Sequence, residues 1–178
     1  EVFVRNVKAS GVVPQLSLIL GPCAGGAVYS PALTDITIMV DQTSNMFLTG
    51  PDIIKTVTGE DVTAEELGGA WVHNATSGVA QVLATDEADA LRKTKQLLSY
   101  LPQNNTEDPP QLEPYDPADR MDETLNHHIP EDDNVPYDMN ALLAQVFDRD
   151  SMFGLHSDWA ANALVGFARL DGHAVGYI

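Results

Sequence analysis

The chain has 178 residues, with 26 Asp and Glu against 9 Lys and Arg, a formal net charge of −17. That length suits one ordinary domain, or parts of two, with a sizeable core. So acidic a balance argues against nucleic acid and anionic membranes as partners, since both favour Lys- and Arg-rich surfaces. A single cysteine excludes an internal disulfide framework and a cysteine-rich zinc site. No apolar run approaches the roughly 20 residues of a membrane span. The opening EVFVRNVKAS lacks the apolar centre of a secretory signal. A reducing, soluble compartment is the expectation.

In chain order, LSLIL (16–20) follows Pro14 as a short continuous apolar run, the pattern of a strand buried on both faces. ITIMV (36–40) is a second run of the same kind. Between them GPCAGGAVYSPALTD predicts a glycine-containing turn leading into a short helix. Pro51 suits the first position of a helix running through Ile53 and Ile54 toward Gly59. Thr63 and Glu66 have capping-box spacing, and Gly68-Gly69 closes that short helix. Residues 86–101 predict an amphipathic helix with Ala84, Ala88, Leu91 and Leu98 along its apolar side. Strands alternating with helices place this part in the α/β class.

The charge is uneven. Residues 107–150 hold 13 acidic residues and two arginines, and seven of the 11 prolines lie in residues 102–136. Prolines remove backbone donors and like charges resist compaction, so this stretch predicts a linker or an extended surface connection. Beyond it Asp138 is positioned to cap a helix carrying Met139, Leu142, Leu143, Val146 and Phe147. VGFARL and HAVGYI then predict two strands joined at Asp171-Gly172 by a tight turn of the primed kind. The chain stops inside that second strand, so a longer parent protein is expected.

Few side chains suggest catalysis. His127-His128 lie in the acidic stretch, His73, His156 and His173 are isolated, and none has metal-ligand spacing. Cys23 precedes the expected helix, where a thiolate would be stabilised, but no local signature supplies a base; a small side chain packing the turn is the simpler reading. His73 and Ser77, four residues apart, have the spacing of a base and a nucleophile without a GxSxG elbow. The informative feature is GPCAGGAVYSPA. Gly25 and Gly26 follow a strand and open a helix, so their N–H groups can converge on one oxygen unobstructed by side chains. Such a pair can form an oxyanion hole. A Walker A phosphate loop would need GK[ST], and GxGxxG is absent. By spacing alone, close packing of helix on strand is the commoner reason for such a pair.

The stretch from PQLSLILGPCAGGAVYSPA through MFLTGPDIIKTVTGED to LLSYLPQNN, with PYDMNALLAQVFD and VGFARLDGHAVGYI beyond it, resembles the β (carboxyltransferase) subunit of biotin-dependent acyl-CoA carboxylases. The propionyl-CoA carboxylase type is the most similar. The resemblance covers nearly the whole chain and is loosest in the acidic stretch. It implies a crotonase-like (ClpP/crotonase) α/β fold, a repeated β-β-α superhelix of which this chain holds part. Residues 1–102 would be the second half of an N-terminal carboxyltransferase domain, 103–136 the interdomain connection, and 137–178 the start of a truncated C-terminal domain.

The resemblance also implies chemistry. Carboxybiotin on a carrier protein gives up CO₂, its ureido nitrogen takes the α-proton of a short-chain acyl-CoA, and the enolate attacks CO₂. Propionyl-CoA is the expected substrate and acetyl-CoA the next candidate. Backbone N–H groups suffice to hold the enolate, with Gly25 and Gly26 matching the family's catalytic glycine pair. A bulky residue at either position is expected to stop turnover while sparing the fold. Ala24 and Ala27 would admit the thioester, and Phe47, Thr49 and Gly50 would border the acyl-CoA, with a core role for Phe47 the competing reading. Arg5 and Lys8 are the cations nearest in sequence for CoA phosphates. Implied partners are a biotin carboxylase and biotin carrier subunit and further copies of the chain; biotin is not attached to this chain and no metal is implied. The compartment would be a bacterial cytoplasm or a mitochondrial matrix. The alternatives are a biotin-dependent acyl-CoA decarboxylase subunit running the chemistry backwards, and a non-catalytic assembly module should the natural chain be this short.

Overall fold

ITIMV forms β3 (Ile36–Val40) and is buried at all five positions, because it runs between β1 (Leu16–Ile19) and β5 (Val82–Ala84). The three strands form a parallel sheet of order β1-β3-β5. These are the features of a computed structural model that describes residues 1–114 and 116–178. Alternate side chains of β3 serve two cores. Ile36, Ile38 and Val40 join Val82, Ala84, Leu97, Tyr100 and Phe153 on one face. Met39 joins Ile19, Val28, Met46, Ala70 and Ala80 on the other. The expectation of a strand at 16–20 buried on both faces is corrected. Among the described residues β1 pairs with β3 alone, three of its four residues are only half-buried, and Leu20 is exposed.

The helix predicted at 86–101 is α4 (Glu87–Leu98), capped by the Asp86 carboxylate, which accepts from the Asp89 N–H at 2.7 Å. Its buried side differs from the one predicted. Ala90 and Leu97 face the sheet at 0% exposure, whereas Ala88 is exposed and Leu91 and Leu98 are 51% and 47% exposed. Small residues at Ala90 and Thr94 let the helix approach β3 and β5 closely, a steric criterion that hydropathy does not rank. Ala84 is buried, but in β5.

Two further strands, β2 (Pro22–Ala24) and β4 (Asn45–Phe47), pair in parallel with Cys23 opposite Met46 and Ala24 opposite Phe47. The short helix expected after the glycines is instead two 3-10 turns, Gly25–Tyr29 and Pro31–Leu33. Pro31 has no N–H with which to continue the first. Helix α1 (Val2–Ala9) lies against them, with Phe3 edge-on to Tyr29 at 5.8 Å and the Ser30 hydroxyl donating to Asn6 at 2.9 Å. Helix α2 (Pro51–Thr58) ends at Gly59, which takes the left-handed conformation at φ 78°. Helix α3 (Ala64–Gly68) begins with the capping box that Thr63 and Glu66 predict. It is followed by a π-helical turn, Val72–Thr76.

Past α4, residues 103–136 hold a 3-10 turn at Glu123–His127 and several fixed tethers. Arg120 pairs with Asp116 at 2.5 Å and donates to the carbonyls of Gln145 and Phe147. Arg169, 5% exposed, donates to the carbonyls of Ser99, Pro110 and Gly172 and lies 4.8 Å over the Tyr100 ring. Helix α5 (Met139–Val146) carries its Asp138 cap. β7 (Val165–Leu170) and β8 (His173–Tyr177) form the predicted hairpin, with Asp171 and Gly172 both at positive φ as a type I′ turn needs. A third strand, β6 (Phe153–Leu155), pairs with β7. Among the described residues no helix is long and apolar enough to cross a membrane.

Candidate active site

The glycine pair sits where β2 gives way to the first 3-10 turn. Gly25 has φ 62°, a conformation that costs an L-residue roughly 1–2 kcal/mol. A 3-10 turn pairs each N–H with the carbonyl three residues back, which leaves the first N–H groups without a partner inside it. The residue before the turn, Ala24, provides no side-chain cap. Gly26 and Ala27 are exposed residues at this start of the turn.

Packing does not explain these glycines. A Cβ built on Gly26 would meet nothing closer than the Tyr29 ring at 3.9 Å, and one on Gly25 nothing closer than the Leu48 carbonyl at 3.9 Å. Gly68 shows what a packing glycine looks like, since its Cβ would lie 2.1 Å from the Met46 carbonyl oxygen. At Gly25 the requirement is backbone conformation; at Gly26 neither packing nor conformation demands glycine. A bulky residue at Gly25 would therefore strain the fold, contrary to the expectation that either position would spare it.

The parallel β2–β4 pair brings the end of β4 beside this turn, with Phe47 opposite Ala24. Phe47 is half-buried; Cβ atoms added at Gly50 and Gly68 would fall 3.5 Å and 3.2 Å from its ring. Gly50 caps α2 through its carbonyl, which accepts from the N–H groups of Ile53 and Ile54 at 3.2 Å each. Thr49 and Ala24 are exposed. Arg5 is engaged with Glu1 at 2.5 Å on the outer surface of α1.

The side-chain candidates separate on geometry. Cys23 is half-buried against the second core, and burial pushes its thiol pKa up, which disfavours the thiolate a nucleophile needs. His156 is likewise held toward its neutral form by burial. His73 and Ser77 do meet, with Nδ1 2.9 Å from the hydroxyl, but Nε2 lies 2.7 Å from the main-chain carbonyl of Met46, not beside a carboxylate. The His73–Met46 bond spans 27 residues, and nothing in the local spacing announces it. A cavity of about 360 Å³ lies elsewhere, between β5, α4 and β6, lined by Gln81, Lys93 and Asp158 among others.

Comparison with known proteins agrees along the entire chain. The carboxyl transferase domain family matches residues 1–178. The propionyl-CoA carboxylase carboxyltransferase subunit of Haloferax mediterranei is 58% identical over 100% of this chain and 34% of its own length. Methylmalonyl-CoA decarboxylase subunit alpha of Veillonella parvula is 51% identical over 100% of this chain and 35% of its own. In a crystal structure of transcarboxylase 12S with hydrolysed methylmalonyl-coenzyme A bound, the matching region superposes with a TM-score of 0.93 at 46% identity, covering 98% of this chain and 34% of that one. The chain thus spans about a third of the length of these relatives. With its parallel sheet covered on both faces and its paired short strands, the chain belongs to the carboxyl transferase domain family and has the family's crotonase-like α/β fold.

Proposed function

We propose that this chain is the middle section of a carboxyltransferase subunit of an acyl-CoA carboxylase, acting on a short-chain acyl-CoA such as propionyl-CoA. Residues 1–102 are then the second half of its N-terminal domain, 103–136 the connection, and 137–178 the opening of its C-terminal domain. The observation that carries the catalytic reading is Gly26: neither packing nor backbone conformation demands glycine there, and it sits at the uncapped start of the turn. The N–H groups of Gly25 and Gly26 take the thioester oxygen as it gains negative charge on loss of the α-proton. Fixed dipoles in place before the reaction stabilise a developing anion without reorganising. Ala24 and Ala27 keep the approach open, and Phe47 and Gly50 border it. Carboxybiotin, presented by a carrier protein, supplies CO₂ and the proton-accepting nitrogen. Partners are accordingly a biotin carboxylase with its carrier, and further copies of the subunit.

The resemblance to the Veillonella parvula decarboxylase subunit supports a second reading, the reverse reaction with the same turn. Carboxyl transfer in either direction tests the shared chemistry, and the coupled partner separates the two readings. The full-length subunit is supplied with a carboxylated biotin carrier and propionyl-CoA, and separately with free biotinylated carrier and methylmalonyl-CoA. Both half-reactions are expected, since the chemistry is reversible; coupling to an ATP-using biotin carboxylase identifies a carboxylase. Absence of carboxyl transfer in both directions overturns the proposal.

A further inference from the structure

Beyond the glycines, one side chain stands in an arrangement that the carboxyltransferase reading does not use. His73 lies in the π-helical turn Val72–Thr76, where the Ser77 N–H reaches back five residues to the Val72 carbonyl at 2.9 Å. Its Nε2 is 2.7 Å from the Met46 carbonyl and its Nδ1 2.9 Å from the Ser77 hydroxyl. A carbonyl only accepts, so in the neutral ring Nε2 carries the proton and Nδ1 accepts from Ser77. Both ring nitrogens are thus satisfied, and the ring is fixed in tautomer and direction.

Met46 is the middle residue of β4. It is 4% exposed and stands opposite Cys23, two residues before Gly25. Its carbonyl is gripped from two directions, by the His73 N–H and by the bare Cα of Gly68. Two residues on, just past the end of β4, the Leu48 carbonyl is the nearest atom to a Cβ built on Gly25. The order of contact is therefore Ser77, His73, Met46 carbonyl, β4, and then the turn that β4 supports.

We infer that His73 is a positioning residue, which through the Met46 carbonyl holds β4 in the register that aims the Gly25 and Gly26 N–H groups. The inference rests on the carboxyltransferase reading of that turn. Donors aimed at a charge present only in the transition state affect turnover more than substrate affinity. Loss of His73 consequently lowers kcat and spares KM. Glutamine restores function, because its side-chain amide donates to the same carbonyl. A residue that merely filled space would show neither the split nor the rescue.

The test uses the full-length subunit with its biotin carrier, comparing His73→Ala, His73→Gln, Ser77→Ala and Gly26→Val. Expected are a loss of about 10- to 100-fold in kcat for His73→Ala, below the roughly 10²- to 10³-fold for outright removal of one donor because the donors are misaimed and not lost, with acyl-CoA KM within about threefold and recovery in His73→Gln. Hydrogen exchange at residues 21–30 should accelerate in His73→Ala. If His73→Ala does not fold, Ser77→Ala replaces it, with a kcat loss of about threefold to tenfold for the weaker constraint. Unchanged kcat in a folded variant, a loss confined to KM, or a folded glutamine variant as slow as alanine each overturns the inference. Gly26→Val keeps the two ideas apart: if it alone stops turnover, His73 is wrong and the turn stands; if it turns over normally, the reading of the turn itself fails.

Discussion

Valine at Gly26 separates catalysis from stability at a single backbone position. The nearest atom to a Cβ at this site is the Tyr29 ring carbon at 3.9 Å, an ordinary van der Waals distance, and the position does not adopt a left-handed φ. Replacing glycine where the conformation is allowed narrows the unfolded ensemble and stabilises by about 0.4–1 kcal/mol. The extra methyls of valine spend part of that gain in a tight turn, so the folded state should be nearly unchanged. On the proposed reading, the isopropyl group would crowd the thioester oxygen's approach to the N–H groups at the start of the turn. Loss of one oxyanion donor costs about 2.7–4 kcal/mol of transition-state stabilisation, or 10²- to 10³-fold in kcat. Full-length Gly26→Val is therefore expected to melt as the parent does while its carboxyl transfer falls by at least about 100-fold. Normal turnover, or a loss of activity that tracks a lowered melting point, would refute the oxyanion role. Gly68→Ala is the contrasting control. Its Cβ would lie 2.1 Å from the Met46 carbonyl oxygen, so it should lose stability, by about 1–3 kcal/mol or more.

Three other outcomes follow from named contacts. At Asp89 burial opposes ionisation, but the Thr85 N–H and the Lys93 and Arg92 side chains outweigh it and lower the pKa from 3.8 to about 2. Its folded value lies below the unfolded one, so its contribution is present above the unfolded pKa and lost as pH falls through about 2. Asp89→Asn should cost roughly 2 kcal/mol near neutral pH in denaturant titrations, with the two proteins converging toward about pH 2. Cys23→Ala should keep carboxyl transfer, and alkylating reagents should react slowly at pH 7–8, because burial holds the thiol protonated. Arg169→Leu should cost roughly 3–5 kcal/mol by leaving the Ser99, Pro110 and Gly172 carbonyls unpaired. Limited proteolysis should then cut residues 103–136 faster.

Periodicity, capping and turn chemistry are local, and they account for what the sequence reveals. The Thr63–Glu66 capping box, the Asp86 and Asp138 caps, the left-handed Gly59 and the Asp171-Gly172 turn all depend on residues within a few positions of one another. β3 is legible because four of its five residues are apolar and the fifth, Thr37, is β-branched, and all five are buried. The three-residue strands β2, β4, β5 and β6 are too short to show a period, and they exist because a distant strand supplies their hydrogen bonds. Gly25 and Gly26 are legible as candidates, yet spacing does not separate conformation, packing and open access as reasons for glycine. That distinction needs the positions of Leu48 and Tyr29.

The amino-acid sequence by itself determined the α/β class, the capped starts of α3, α4 and α5, the hairpin turn and the glycine pair, since each is encoded by side chains acting on their own stretch of backbone. Tertiary structure alone decided which stripe of α4 is buried, that β1 pairs with β3, that Gly68 is the packing glycine, and that His73 reaches the Met46 carbonyl. Each of these depends on close approach between segments far apart in the chain. The energy of such contacts is set by distances of a few tenths of an ångström, which no local pattern specifies.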